Sequence, residues 1–225
     1  MIKNIKIELI VLGVIFLSIL ISYSIDIGLY NYFAKFDGSV GAKYLKEFFK
    51  NITSLGNSLW FFLIFLVLLF FSFLLKKLNI VEQKVSDYFK FFSLTGIVYL
   101  STTGIITQIL KHIVGRARPN HTNLVEGFGF NFFTTNSNFH SFPSGHTSTI
   151  FIVALLIGVL LPKMKYFFYC IAVVIALSRV VVGAHYTTDI IAGAVLSLIV
   201  FKTLNLYFDK SFSFLKPQTL KNLKI

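Results

Sequence analysis

The sequence predicts an all-α, polytopic membrane protein, a bundle of six transmembrane helices, and three observations predict it. Hydrophobic residues make up 56% of the 225-residue chain and charged residues only 13%, with a mean hydropathy of +0.78, far too apolar for an ordinary soluble domain. The apolar residues gather in runs long enough to cross a hydrocarbon core, which takes about 20 helical residues. The polar residues gather between those runs, and a single membrane-embedded domain, residues 1–225 with no internal repeat, explains the whole pattern.

The runs are 7–23, 59–75, 89–110, 147–161, 166–183 and 190–208. The fourth is short and spans a bilayer only if the membrane thins locally or the helix extends into its polar flanks. The first also has the outline of a signal peptide, with Lys3 and Lys6 ahead of it and Ser22-Tyr23-Ser24 after it. Its apolar core is long for a signal sequence and Tyr23 makes an indifferent cleavage site, so it reads as a retained span. A net charge of +12 would suggest nucleic acid in a soluble protein, but in a membrane protein the positions of Lys and Arg carry the information, and no nucleic-acid partner is expected. With even alternation, most of them fall on one side: Lys3, Lys6, the loop 76–90, the turn 163–165 and the tail from Lys202. The positive-inside rule then puts both termini in the cytoplasm and the long connections 26–58 and 111–143 at the outer face. The first connection, with Tyr30, Phe33, Phe36, Phe48 and Phe49 among lysines, suits a partly amphipathic helix lying along the membrane. The lone Cys170 excludes an intrachain disulfide and a cysteine-built metal site, and reads as a small buried hydrophobe.

Three polar clusters interrupt the apolar sequence, and the alternation brings all three to the outer face. Lys111 precedes Arg118-Pro119 by close to two helical turns, so both cations project from one side if the helix continues until Pro119 stops it. Alone, the pair fits a charged membrane exit more readily than an anion site. In Ser141-Phe142-Pro143-Ser144-Gly145-His146-Thr147, Ser144 is a natural N-cap and Gly145 permits close backbone approach, so free N–H groups face an anion. A cap with an incidental histidine fits equally. In the third cluster, Ser178-Arg179, His185 and Asp189, the last two are four residues apart and share a face on a helix. Asp189 can then accept a hydrogen bond from one ring nitrogen and leave the other as a lone-pair donor. Such groups at a membrane boundary are costly without a role.

Together the clusters resemble the signature of the type 2 phosphatidic acid phosphatase superfamily: Lys, six residues, Arg-Pro; then Pro-Ser-Gly-His; then Ser-Arg, five residues, His, three residues, Asp. Lys111, Arg118, Pro119, Pro143, Ser144, Gly145, His146, Ser178, Arg179, His185 and Asp189 fill every fixed position, within residues 111–189. The resemblance implies a lipid phosphate phosphatase whose site lies at the outer, periplasmic face of a bacterial inner membrane. It implies that His185 attacks phosphorus to form a phosphohistidine, that Asp189 orients the ring, and that His146 protonates the leaving lipid oxygen and then activates water. Lys111, Arg118, Ser144, Gly145 and Arg179 would hold the phosphate. No metal and no cofactor is expected, since His112, His121 and His140 lack ligand spacing with a carboxylate and three cations would repel a divalent ion.

The small chain is similar to bacterial members acting on undecaprenyl diphosphate or lipid A phosphate, and the sequence does not separate the two. The segment 120–142, rich in phenylalanine at Phe128, Phe130, Phe132, Phe133 and Phe139, suits either sideways lipid entry or interfacial anchoring. A phosphotransferase of the same fold would pass the phosphoryl group to another lipid and share every motif. A transporter or non-catalytic membrane protein would explain the spans but not the complete signature.

Overall fold

The computed structural model describes residues 26–33, 40–124 and 129–212. Among these the regular structure is helical, with one isolated antiparallel bridge between Arg116 and Phe130. After the helical residues 26–33 come α1 (Val40–Ser54), α2 (Ser58–Lys77), α3 (Gln83–Val114), α4 (Gly145–Leu160), α5 (Lys165–Val181) and α6 (Thr187–Phe212). The expected span 7–23 lies outside the described residues, and the other five spans are α2 to α6. α3 runs beyond both ends of its apolar run, because hydropathy marks the apolar stretch and not where helical hydrogen bonding stops; in its first turn Gln83 Nε2 donates to Asp87 Oδ2, four residues on, at 2.7 Å. The helix expected along 26–58 is α1, which packs against α5.

The stretch ending in α2, together with α3 and α6, is long and apolar enough to cross a membrane, whereas α4 is a shorter apolar helix. Its shortness goes with its place inside the bundle. It contacts α3, α5 and α6 and buries Ile152, Val153, Ala154 and Leu156, as a helix apolar on all sides must. α2 does the opposite and exposes Leu63, Ile64, Leu66, Val67, Phe70 and Phe71, a surface suited to lipid chains and not to water. Cys170 corrects an expectation: it is exposed on α5 and not buried, because an apolar position in a membrane helix gains nothing by avoiding a solvent that is itself apolar.

Between helices, polar contacts replace the hydrophobic drive that lipid removes. The Thr107 and Ser148 hydroxyls meet at 3.1 Å, Ser197 Oγ donates to the Ser148 carbonyl at 2.7 Å, and the Tyr99 hydroxyl donates to Asn205 Oδ1 at 2.7 Å. Antiparallel neighbours bring the start of α2, the end of α3, the start of α4, the end of α5 and the start of α6 to one end of the bundle. The polar clusters sit there.

Candidate active site

α3 stops at Val114, five residues before the proline expected to end it. Gly115 caps the helix with φ 55°, its N–H reaching the Lys111 carbonyl. A Cβ there would stand 1.7 Å from the Asn131 carbonyl oxygen, so both the left-handed conformation and the close approach require glycine. The chain then runs extended. Ala117 N–H donates to Gly129 O at 2.6 Å, Ser141 N–H to Arg116 O at 3.0 Å, and Arg118 N–H to Asn138 O at 2.9 Å. Lys111 and Arg118 thus reach the same cavity from a helix end and an extended segment, and not from two turns of one helix.

Ser144 caps α4, accepting from Thr147 N–H at 3.5 Å and from the Thr147 hydroxyl at 3.1 Å. Its own N–H donates to the Asp189 carbonyl at 3.0 Å. The side chain is fully buried behind Gly145, and a Cβ on Gly145 would lie 3.8 Å from Lys111 Nζ. Of the residues expected to hold phosphate, Ser144 is the exception that does not line the cavity.

The five residues between Arg179 and His185 have a structural cause. α5 ends in a Schellman turn: Gly183, at φ 69°, donates its N–H to Val180 O at 2.9 Å, and Ala184 donates to Arg179 O at 3.0 Å, the paired pattern of that cap. His185 N–H also donates to Arg179 O, at 3.2 Å. The spacing therefore brings the imidazole back over the helix end that carries the guanidinium.

His185 lies in this turn, two residues ahead of α6, so it and Asp189 do not share a helix face as the spacing suggested. Asp189 instead reaches back, its Oδ2 accepting from Tyr186 N–H at 2.9 Å and from the Ser141 hydroxyl at 2.6 Å, a helix-start arrangement like half a capping box. With that oxygen engaged, His185 Nδ1 stands 3.6 Å from it, beyond hydrogen-bond length, and 3.5 Å from the Ser141 hydroxyl. The other oxygen, Oδ1, accepts from Arg116 Nη1 at 2.8 Å. Ser141 and Arg116 were not singled out by sequence reasoning; the one signal for Arg116 was a second cation two residues before Arg118.

A cavity of about 990 Å³ opens at this end, lined by Lys111, Arg118, Gly145, His146, Arg179 and His185. It continues between α2, at Ser58 and Phe62, and α3, at Ile109, Ile105, Ser101 and Leu100, a length along α3 of roughly 16 Å at the helical rise. Phe132 and Phe133 are 64% and 80% exposed and stand outside its walls. Arg179 is 9% exposed; its Nη1 donates to Thr53 Oγ1 at 2.8 Å, and its buried Nε has no hydrogen-bond partner. Burial pushes the His185 imidazole down to about 4, with the Arg179 and Lys111 charges adding to it and the Asp189 carboxylate opposing. The ring is therefore neutral at pH 7, and if the proton sits on Nδ1 facing Asp189, Nε2 carries the free lone pair.

Fold and site define a helical membrane protein whose buried neutral histidine faces a ring of cations suited to an anionic headgroup. The sequence profile of the PAP2 superfamily matches residues 92–213, and the chain belongs to that superfamily. It is 36% identical to the lipid A 1-phosphatase of Rhizobium etli over 168 residues, 70% of this chain and 71% of that protein. It is 31% identical to phosphatidylglycerophosphatase B of Bacillus subtilis over 170 residues, 70% of this chain and 72% of that protein. The crystal structure of a transmembrane PAP2 type phosphatidylglycerolphosphate phosphatase from Bacillus subtilis superposes with a TM-score of 0.58 over 88% of this chain and 96% of that one, at 24% identity, a likeness of fold.

Proposed function

We propose that this chain, a membrane lipid phosphatase of the PAP2 superfamily, transfers the phosphoryl group of a lipid to His185 and then to water. The observation that carries the reading is the single cavity in which His185, His146 and the cations Lys111, Arg118 and Arg179 share one end, while its other end follows α2 and α3 toward the hydrocarbon. The cations and the Gly145 end of α4 neutralise the phosphate oxygens as the transition state forms. Arg179 Nε is a buried donor in want of an acceptor, and a phosphate oxygen would supply it. Ser144, enclosed behind Gly145, serves as the cap that holds Gly145 and His146 in place.

In the first step, which His146 enters protonated, the Nε2 lone pair of His185 bonds to phosphorus, the phosphorus–oxygen bond to the lipid breaks, and the His146 imidazolium gives its proton to the departing oxygen and becomes neutral. Asp189, paired with Arg116, balances the imidazolium character of the phosphohistidine. In the second, His146 takes a proton from water, the resulting hydroxide attacks phosphorus, and the phosphorus–nitrogen bond breaks to regenerate His185. No step calls for a metal ion.

The site belongs at the outer face of a bacterial inner membrane, with both termini cytoplasmic. In support, Lys76, Lys77, Lys84 and Lys90 at the α2–α3 junction, and Lys163 and Lys165 at the α4–α5 junction, lie at the bundle end opposite the site, as the positive-inside rule asks of cytoplasmic loops. The substrate is a lipid phosphate with its headgroup at that face, lipid A phosphate or undecaprenyl diphosphate. Phosphate release by the purified protein in detergent is the test. A panel of lipid A, undecaprenyl diphosphate and phosphatidylglycerol phosphate should show turnover of at least one, lost in His185→Ala. Release from none of them, or undiminished release by His185→Ala, would overturn the reading.

A further inference from the structure

The polar network behind His185 extends past Asp189 to groups that the superfamily signature does not contain. Arg116 is buried, its side chain 7% exposed. Its Nη1 donates to Asp189 Oδ1 at 2.8 Å and its Nη2 to Asp26 Oδ2 at 2.9 Å. Nη1 also meets the Thr188 hydroxyl, which in turn meets Asp26 Oδ2. Thr188 N–H donates to Asp26 Oδ1 at 3.1 Å, fixing the carboxylate over the first turn of α6, where the helix dipole favours it. The guanidinium carbon lies 4.2 Å from the centroid of the Tyr186 ring and 6.0 Å from that of Phe130, so its faces are covered and its geometry is held.

Two buried carboxylates share one buried guanidinium, and one of the two is the neighbour of the nucleophile. We propose that Arg116 and Asp26 are positioning residues for the phosphoryl transfer: Arg116 holds Asp189 ionised and turned toward His185, and Asp26 sets how much of the Arg116 charge Asp189 receives. The inference rests on the reading of His185 as the nucleophile. Among the described residues, the charged and titratable groups around the imidazole are Lys111 from α3, Arg116 and Arg118 from the extended segment, His146 from α4, Arg179 from α5, Tyr186 beside it, Asp189 from α6 and, one step further, Asp26. Removing Arg116 deletes a positive charge from this set and removing Asp26 deletes a negative one, so the two changes act on His185 and Asp189 with opposite sign. A purely structural role for either residue has no such sign.

The test is the pH dependence of phosphate release from one lipid phosphate monoester by the purified full-length protein. It compares wild type, Arg116→Met, Arg116→Lys, Asp26→Asn and His185→Ala. The ionisation of the substrate is common to all, so displacements between them belong to the protein. Arg116→Met should move the acidic limb of kcat/KM upward by roughly one pH unit. It should also lower kcat about tenfold or more while KM stays within about twofold, the mark of a contact felt in the transition state. Arg116→Lys should return the limb most of the way to wild type. Asp26→Asn should move it downward. A limb unmoved in Arg116→Met, or moved upward or unmoved in Asp26→Asn, overturns the proposal. If Arg116→Met fails to accumulate as folded protein, Asp26→Asn decides alone by the same rule. Activity retained in His185→Ala sinks the reading of the site itself, whereas an inactive His185→Ala with unmoved limbs sinks only this inference.

Discussion

At the scale of single residues, the proposed chemistry turns on a histidine kept neutral among cations. Because burial sets its folded value at about 4, below the ~6.5 of a free imidazole, its reactive neutral form persists on acidification and is lost only as pH falls through that value. The acidic limb of kcat/KM should accordingly lie near pH 4 once the substrate ionisation at about 6 is divided out; a protein-borne limb at 6.5 would contradict the buried placement. His146→Ala should lose roughly a hundred- to ten-thousand-fold on a lipid phosphate but far less on an ester whose leaving group is already acidic, and equal losses on both would refute its role as the acid. That these residues share one cavity was largely legible in the sequence, since the spacings around Lys111, Gly145, Arg179 and His185 record local turns. Arg116 and Asp26 were not, because their contact joins positions 90 residues apart and leaves no periodicity behind. The relation of His185 to Asp189 was misjudged as a shared helix face, since nothing in the spacing shows that α6 starts only at Thr187.

At the scale of elements, two glycine turns deliver the site. Gly115 releases the extended segment 116–118 from α3, and Gly183 folds His185 back over Arg179. At Gly183 a Cβ would stand 2.7 Å from Asn120 Oδ1 and would have to adopt positive φ. Gly183→Ala should cost about 1–2 kcal/mol, read as a lowered unfolding temperature in detergent, and should reduce kcat by displacing the imidazole. An unchanged melting temperature with full activity would show that the turn does not set the geometry. The sequence located α2 to α6 by their apolar runs but placed the end of α3 at Pro119, because proline is a visible stop while a capping glycine is one among 14 in the chain.

At the scale of the whole molecule, the proposed function makes one cavity serve both a headgroup and its chain, since the cavity runs from Lys111, Arg118 and Arg179 along α3 to Leu100. Long-chain lipid phosphates should exceed short-chain analogues in kcat as well as in apparent affinity at fixed surface concentration, since remote binding energy aligns the reacting atoms. Gly104 lines the cavity, and a Cβ there meets nothing within 4 Å. Gly104→Phe should therefore fold, hinder long-chain lipids and spare short soluble esters; equal effects on both would place the chain elsewhere. The aromatic segment around Phe132 suits lipid entry and interfacial anchoring equally, because depth along a membrane cannot be told from lateral position in a sequence, and Phe132 and Phe133 stand exposed outside the cavity. For orientation, a reporter fused after Ile225 should be cytoplasmic and a cysteine at Asn123 should be labelled from outside. Labelling only after permeabilisation would invert the site.

The most direct test of the central claim is rapid quenching of the protein with a lipid substrate carrying labelled phosphate, followed by assay of acid-labile, base-stable label on the chain. Wild type should show a transient phosphohistidine, His146→Ala should hold it longer, and His185→Ala should show none. Label of the same stability and rate of formation in His185→Ala would contradict the assignment of the nucleophile.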